Sequence, residues 1–233
     1  MTETTPEMVQ YEEVSGGQIA VITLDRPEAR NAQNKQMTYE LNDAFNRAAR
    51  TESVKCIVLA ANGPHFSAGH DLKGPGEYDA EPMWVGGSYE RRGAEGAMAY
   101  EEEMYLHMCR RWHDIPKPTI AAVHGKVIAG GLMLMWVCDL IIASDDASFQ
   151  DLTVAHRLGM VNHVVPGDEL MDFSLAMAGR IAEKPAFALK LAKLAVNQTL
   201  DAQGFQIAQQ QAFGLQHIGH AHTRGEQARQ RRD

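Results

Sequence analysis

The first sixty residues alternate strand, helix and strand, and that alternation constrains the fold more than any other feature of the chain. Gln18 to Leu24 (QIAVITL) is a β-rich apolar run closed by Asp25-Arg26-Pro27, the pattern of a buried strand ending in a turn. Asn34 to Arg50 places Met37, Leu41, Ala44, Phe45 and Ala48 at three- and four-residue intervals, which predicts an amphipathic helix with Asn34 as its N-cap. Val54 to Ala60 (VKCIVLA) reads as a second strand. Strands joined through a helix pair in parallel, so the expected class is α/β with a largely buried sheet.

The same reading continues down the chain. Lys73 to Gly96 is rich in glycine and proline, has no sustained period, and is expected to be a long loop. Helical spacing returns from Ala97 to Ile115 and ends at Pro116 and Pro118. Thr119 to Val123 is read as a strand, Gly130 to Val137 as a short buried helix and Asp139 to Ala143 as another strand. Amphipathic patterns cover Glu169 to Ala182, Ala186 to Leu200 and Gln203 to Ile218, before a tail, GEQARQRRD, that reads as too polar to pack.

Several function classes are disfavoured at this level. A formal charge of −8 gives no electrostatic pull toward nucleic acid or an anionic membrane. The longest apolar run, Val127 to Val137, contains two glycines and is far shorter than the ~20 residues that span a bilayer. The opening MTETTPEMVQYEE is polar and acidic, unlike a signal peptide, so a cytoplasmic location is expected. Cys56, Cys109 and Cys138 are widely spaced in apolar surroundings and read as reduced packing residues. His217, His220 and His222 cluster near the C-terminus, but beside so polar a tail they are expected to be structural, and no metal is expected.

Chemistry concentrates in two glycine-bearing segments, Phe66-Ser67-Ala68-Gly69-His70-Asp71-Leu72 and His124-Gly125-Lys126-Val127-Ile128-Ala129-Gly130-Gly131. Glycine permits close backbone approach to a ligand, and the second segment leads into an apolar helix whose first N–H groups lack intrahelical partners. Neither segment is a dinucleotide fingerprint or a P-loop. Ser67 and Ser88 lack the local signature of a peptidase nucleophile, and His124 reads as a strand end.

Together with LDRPEARNA (Leu24 to Ala32), HFSAGHDL (His65 to Leu72), PKPTIAAVHGKVIAGG (Pro116 to Gly131), CDLIIASDDASF (Cys138 to Phe149) and HRLGMVNHVVP (His156 to Pro166), these segments resemble the crotonase superfamily, the enoyl-CoA hydratase/isomerase family. The resemblance implies a crotonase (ClpP-like) spiral of ββα units over 1–166 and a C-terminal helical region over 167–233 that serves trimer contacts. It also implies an acyl-CoA thioester as ligand, with coenzyme A as part of the substrate and no separate cofactor. A homotrimer or a dimer of trimers is the expected assembly.

By the same resemblance, the backbone N–H groups of His70 and Gly130 form an oxyanion hole for the thioester oxygen. Arg26, Ala29, Ser67, Ala68, Gly69, Asp71, Leu72, Gly131, Met133 and Thr153 are the expected substrate-binding positions. The two glutamates that serve hydration in the family are replaced here by Met133 and Thr153. Methionine exchanges no proton and a lone threonine hydroxyl is a poor base, so classical hydration is expected to be weak and Asp151 or the His70 side chain becomes the candidate acid/base. Isomerisation, thioester hydrolysis and catalytically silent binding of acyl-CoA stand as alternatives. Relatives also carry several tens of residues between the positions of Ala155 and His156, so a segment is expected to be absent at that junction.

Overall fold

The computed structural model describes residues 7–74, 78–80, 82–83, 89, 93–149 and 159–230. Its elements are β1 (Val9–Val14), β2 (Ile19–Leu24), α1 (Lys35–Arg50), β3 (Cys56–Ala61), α2 (Ala94–Glu101), α3 (Met108–His113), β4 (Thr119–Val123), β5 (Lys126–Val127), α4 (Gly130–Trp136), β6 (Leu140–Ser144), β7 (Ser148–Phe149), β8 (His163–Val165), α5 (Leu170–Ala182), α6 (Ala186–Ala202) and α7 (Phe205–Gln230). The chain divides into two compact units, one of Met1–Ala80 with Arg111–Leu194 and one of Glu81–Arg110 with Ala195–Asp233. Among the described residues no helix is long and apolar enough to cross a membrane.

In the first unit, six strands form a sheet in the order β1-β2-β3-β4-β6-β8. Only the β1–β2 pair is antiparallel; β2–β3, β3–β4, β4–β6 and β6–β8 run parallel. Parallel strands need both faces covered. Ile19, Val21, Cys56, Val58, Ile120 and Ile142 pack on one face with Leu170, Ala178 and Ala182 of α5. The alternate residues Ile22, Leu24, Ile57 and Leu59 are also fully buried, and α1 packs over β1 and β2. Asn34 caps α1 as expected, its side chain accepting from the Met37 N–H at 2.9 Å. An ion pair between a buried lysine and an exposed aspartate fastens α6 to the N-terminal edge of the sheet, with Lys193 Nζ 2.9 Å from Asp139 Oδ2. That same oxygen accepts from the Thr119 N–H and hydroxyl at 2.8 and 3.0 Å.

In the second unit, helix α2 passes into a π-helical turn at Glu102–His107, a wider winding inside what the spacing reads as one continuous helix. Glu103 in that turn is fully buried and accepts from the Met83 N–H at 2.8 Å. His217 and His220 both place Nδ1 3.2 Å from Glu101 Oε2, while His222 is exposed.

The structure adds to the sequence reading at three points. The acidic start contains the edge strand β1, whose partner-facing alternation leaves Gln10, Glu12 and Glu13 in polar positions. The backbone of the tail continues α7 to Gln230, its Gln, Ala and Arg residues being good helix formers. The helix expected from Ala97 begins earlier, at Ala94, and carries the π turn. Residues 150–158, which include the Ala155–His156 junction, lie outside the described residues.

Candidate active site

Three loops leave the C-terminal ends of parallel strands β2, β3 and β4 and meet there, the edge where open α/β sheets bind ligands. The first, residues 25–34, turns through consecutive left-handed residues, Arg30 (φ 54°) and Asn31 (φ 51°), a conformation that asparagine tolerates better than most side chains. Asn31 is fully buried. Its Oδ1 accepts from the Arg26 N–H at 2.8 Å, and its Nδ2 donates to the carbonyls of Asn62 and His65 at 2.9 Å each. One amide thus joins the first loop to the second.

Gln33 fixes the second loop at the point that matters. Its N–H donates to Gly69 O at 2.8 Å and its carbonyl accepts from the Asp71 N–H at 2.9 Å, so the two bonds bracket His70. Its side-chain Nε2 donates to Ser67 Oγ at 3.2 Å, and that hydroxyl donates to Asn31 O at 2.8 Å and accepts from the Gly69 N–H at 3.2 Å. Arg26 adds a near-buried ion pair, Nη1 to Asp71 Oδ2 at 2.7 Å, and a second bond to Ala32 O at 2.9 Å. The guanidinium bonded to Asp71 holds its carboxyl below the usual carboxylate range.

The second and third loops meet backbone to backbone. Ser67 bridges to Val127, and the Ile128 N–H donates to Ser67 O at 3.0 Å. A methyl group on Gly131 would lie 2.6 Å from Ser67 O, and one on Gly69 would lie 2.7 Å from Ile128 O and 3.1 Å from Gly130 N. Both positions therefore exclude any side chain.

Between these glycines sits Ala129 at φ 45° and ψ −108°, a conformation that costs an alanine about 1–3 kcal/mol and clusters at functional sites. It ends the third loop by turning the peptide into α4, so the Gly130 N–H opens the helix with no side-chain cap. Among the described residues that N–H makes no hydrogen bond. The arrangement sets the backbone of Gly130 against the tightly held His70 loop.

The model of the enoyl-CoA hydratase/isomerase family matches residues 15–154. The chain belongs to that family. It is 38% identical to EchA13 of Mycobacterium tuberculosis, which carries an enoyl-CoA hydratase name, over 93% of this chain and 81% of that protein. A crystal structure of a probable enoyl-CoA hydratase from Mycobacterium smegmatis is 41% identical and superposes with a TM-score of 0.81, covering 92% of this chain and 94% of that one. An enoyl-CoA hydratase/isomerase from Xanthobacter autotrophicus Py2 is 28% identical with a TM-score of 0.79, covering 92% of this chain and 87% of that one. The α/β architecture read from the sequence is the crotonase fold of these neighbours.

Within this crotonase frame the expected site residues fall into three groups. His70, Gly130, Gly69, Ala68 and Gly131 lie on the two apposed loops. Ser67, Arg26 and Asp71 sit beneath or beside them with their side chains bonded to neighbouring protein groups, while Ala29 ends a short 3₁₀ turn and Leu72 is 99% exposed. Met133 is half-buried one turn into α4, and Asp151 and Thr153 lie outside the described residues. Asn31 and Gln33, which hold the loops in register, were not among the expected site residues. The available signal was an asparagine between two turn-forming stretches.

Proposed function

We propose that this member of the family acts on acyl-CoA thioesters, with the N–H groups of His70 and Gly130 binding the thioester oxygen as it gains enolate charge. The observation that supports this reading is the strained Ala129 peptide, which presents an uncapped Gly130 N–H beside a loop that Gln33 grips on both sides of His70. A preorganised donor of this kind typically contributes about 2.7–4 kcal/mol to transition-state stabilisation, so a pair makes the largest single catalytic contribution. The Ser67–His70 loop and the Arg26–Ala29 turn would then lie along the coenzyme A portion of the substrate. Asp151 stays a candidate acid/base group. The reading extends to a homotrimer, which would cover apolar side chains such as Phe187 and Leu191 of α6, exposed by 69% and 49%.

Met133 favours a second reading, in which the chain binds acyl-CoA without turning it over. That position carries a glutamate in hydratases of the family, and a thioether neither gives nor takes a proton. Calorimetric titration with acyl-CoA esters, run beside a turnover assay on saturated, enoyl and hydroxyacyl thioesters, separates the two. Turnover of any of them supports the enzyme, binding without turnover supports the silent subunit, and absence of binding contradicts both.

A further inference from the structure

Ser67 ties the three loops together. Its backbone bridges to Val127 of the third loop, and its carbonyl accepts from the Ile128 N–H at 3.0 Å. Its fully buried hydroxyl has one proton and two lone pairs, and all three are used. The proton goes to Asn31 O at 2.8 Å, one lone pair takes the Gly69 N–H at 3.2 Å, and the other takes the Gln33 Nε2 donor at 3.2 Å. Gln33 is 8% exposed and immediately precedes Asn34, the cap of α1, so its amide is anchored to a helix.

The peptide after Gly69 carries the His70 N–H. Its oxygen accepts from the Gln33 N–H at 2.8 Å, and in a trans peptide the N–H points opposite to the carbonyl, so that bond directs the His70 donor away from the first loop. Gly69 also sets the spacing to the second donor, because a methyl group on it would lie 3.1 Å from Gly130 N. A glycine at φ 89° has wide freedom to rotate, and here both of its peptides lead back to Gln33. One is held by the Gln33 main chain, the other by its side chain through Ser67. The main-chain bond is open to nearly any residue at position 33, whereas the second needs a side chain that donates at that length.

We infer that Gln33 is a positioning residue for the oxyanion hole, its side-chain amide acting through the Ser67 hydroxyl to hold the Gly69–His70 peptide in line with the Gly130 N–H. This role rests on the oxyanion reading proposed above. It makes the polarisation of the bound carbonyl depend on a donor that acts through Ser67 and Gly69 and not on the substrate itself.

Infrared difference spectra of butyryl-CoA labelled with ¹³C at the thioester carbonyl, bound to full-length wild type, Gln33→Met, Ser67→Ala and Gln33→Glu, test the role beside calorimetric binding. Gln33→Met keeps the side-chain length and both main-chain bonds but donates nothing. It and Ser67→Ala should bind within about threefold of wild type, since the effect falls on charge at the carbonyl more than on affinity, yet keep no more than about half of the wild-type carbonyl shift. The double variant should lose no more than the larger single loss, because the two residues act in one chain of bonds. Gln33→Glu distinguishes a donor from a space-filling group. As a carboxylate at about pH 8 it competes for the only proton of the hydroxyl and should lose the shift; as a neutral acid toward about pH 5, burial having raised its pKa, it donates as the amide does and should regain it. A full wild-type shift in Gln33→Met or Ser67→Ala, a Gln33→Glu shift that is the same at both pH values, or loss of binding in every variant overturns the role of Gln33 while leaving the oxyanion reading in place. A wild-type complex whose carbonyl is unshifted overturns that reading and this inference together. Should Gln33→Met fail to fold, the Ser67→Ala and Gln33→Glu spectra decide by the same criteria.

Discussion

Replacing Asn31 by alanine should destabilise the protein by about 4–6 kcal/mol, and the figure can be built from its surroundings. The side chain is fully buried and makes three hydrogen bonds across two loops. Truncation leaves the Arg26 N–H without its acceptor, which costs about 1–3 kcal/mol in a buried setting, and removes a donor from each of two carbonyls at about 1 kcal/mol net apiece. The left-handed conformation at φ 51° adds about 1 kcal/mol for a residue that lacks asparagine's local polar compensation. Against a typical domain stability of about 5–15 kcal/mol, this is a large fraction. Urea unfolding followed by circular dichroism measures it. Asn31→Asp sharpens the test, because it keeps the acceptor toward Arg26 but turns an oxygen toward the Asn62 and His65 carbonyls. It should be at least as damaging at pH 7, with partial recovery on acidification as protonation supplies one donor. A loss below about 1 kcal/mol for Asn31→Ala, or an aspartate tolerated as well as asparagine at pH 7, would refute the claim that this amide joins the loops.

Four further outcomes are expected. Gly131→Ala drives a methyl group to 2.6 Å from Ser67 O, so it should part the two loops and lower turnover by at least about tenfold, with a stability loss of about 1–3 kcal/mol typical of overpacking; steady-state kinetics and urea melts read both. Lys193→Met leaves Asp139 with its Thr119 bonds but no counter-ion, and unfolding should show a loss of about 2–3 kcal/mol, as for hydrogen bonds to charged groups. Asp71 has a depressed folded pKa, so its contribution is complete above the ordinary carboxylate value of about 4 and disappears as pH falls through the folded value; the stability gap between wild type and Asp71→Asn should be present at pH 7 and close in strong acid. Burial pushes the Cys56 and Cys138 thiols up to about 12, so neither should react with a thiol reagent at pH 8 until the protein is unfolded, as peptide mass mapping would show.

The elements that bury a continuous apolar face were the legible ones. Helix α1, with Phe45 and Leu41 inward and Asn34 at its start, and the fully buried β4 carry their own patterns, so each is found where the periodicity puts it. Strand β1 was missed because it is an edge strand with charged residues on its exposed side, so its sequence carries only half of an alternation. The π turn at Glu102–His107 has no compositional mark. In the site, the glycine-bearing loops were recognisable because close backbone approach tolerates so few residue types. The register between them depends on Asn31, Gln33 and Ser67, whose bonds span more than thirty positions of sequence, and no local pattern encodes such pairings.

The central claim is that the backbone N–H groups of His70 and Gly130 polarise a thioester carbonyl. Infrared difference spectroscopy of an acyl-CoA with a ¹³C-labelled thioester carbonyl, free and bound to the wild-type protein, tests that claim most directly. The account predicts a bound carbonyl stretch moved to lower frequency, the mark of charge drawn onto oxygen, and retention of that shift in His70→Ala, whose backbone donor is intact. A bound ligand whose carbonyl frequency is unchanged from solution would contradict it.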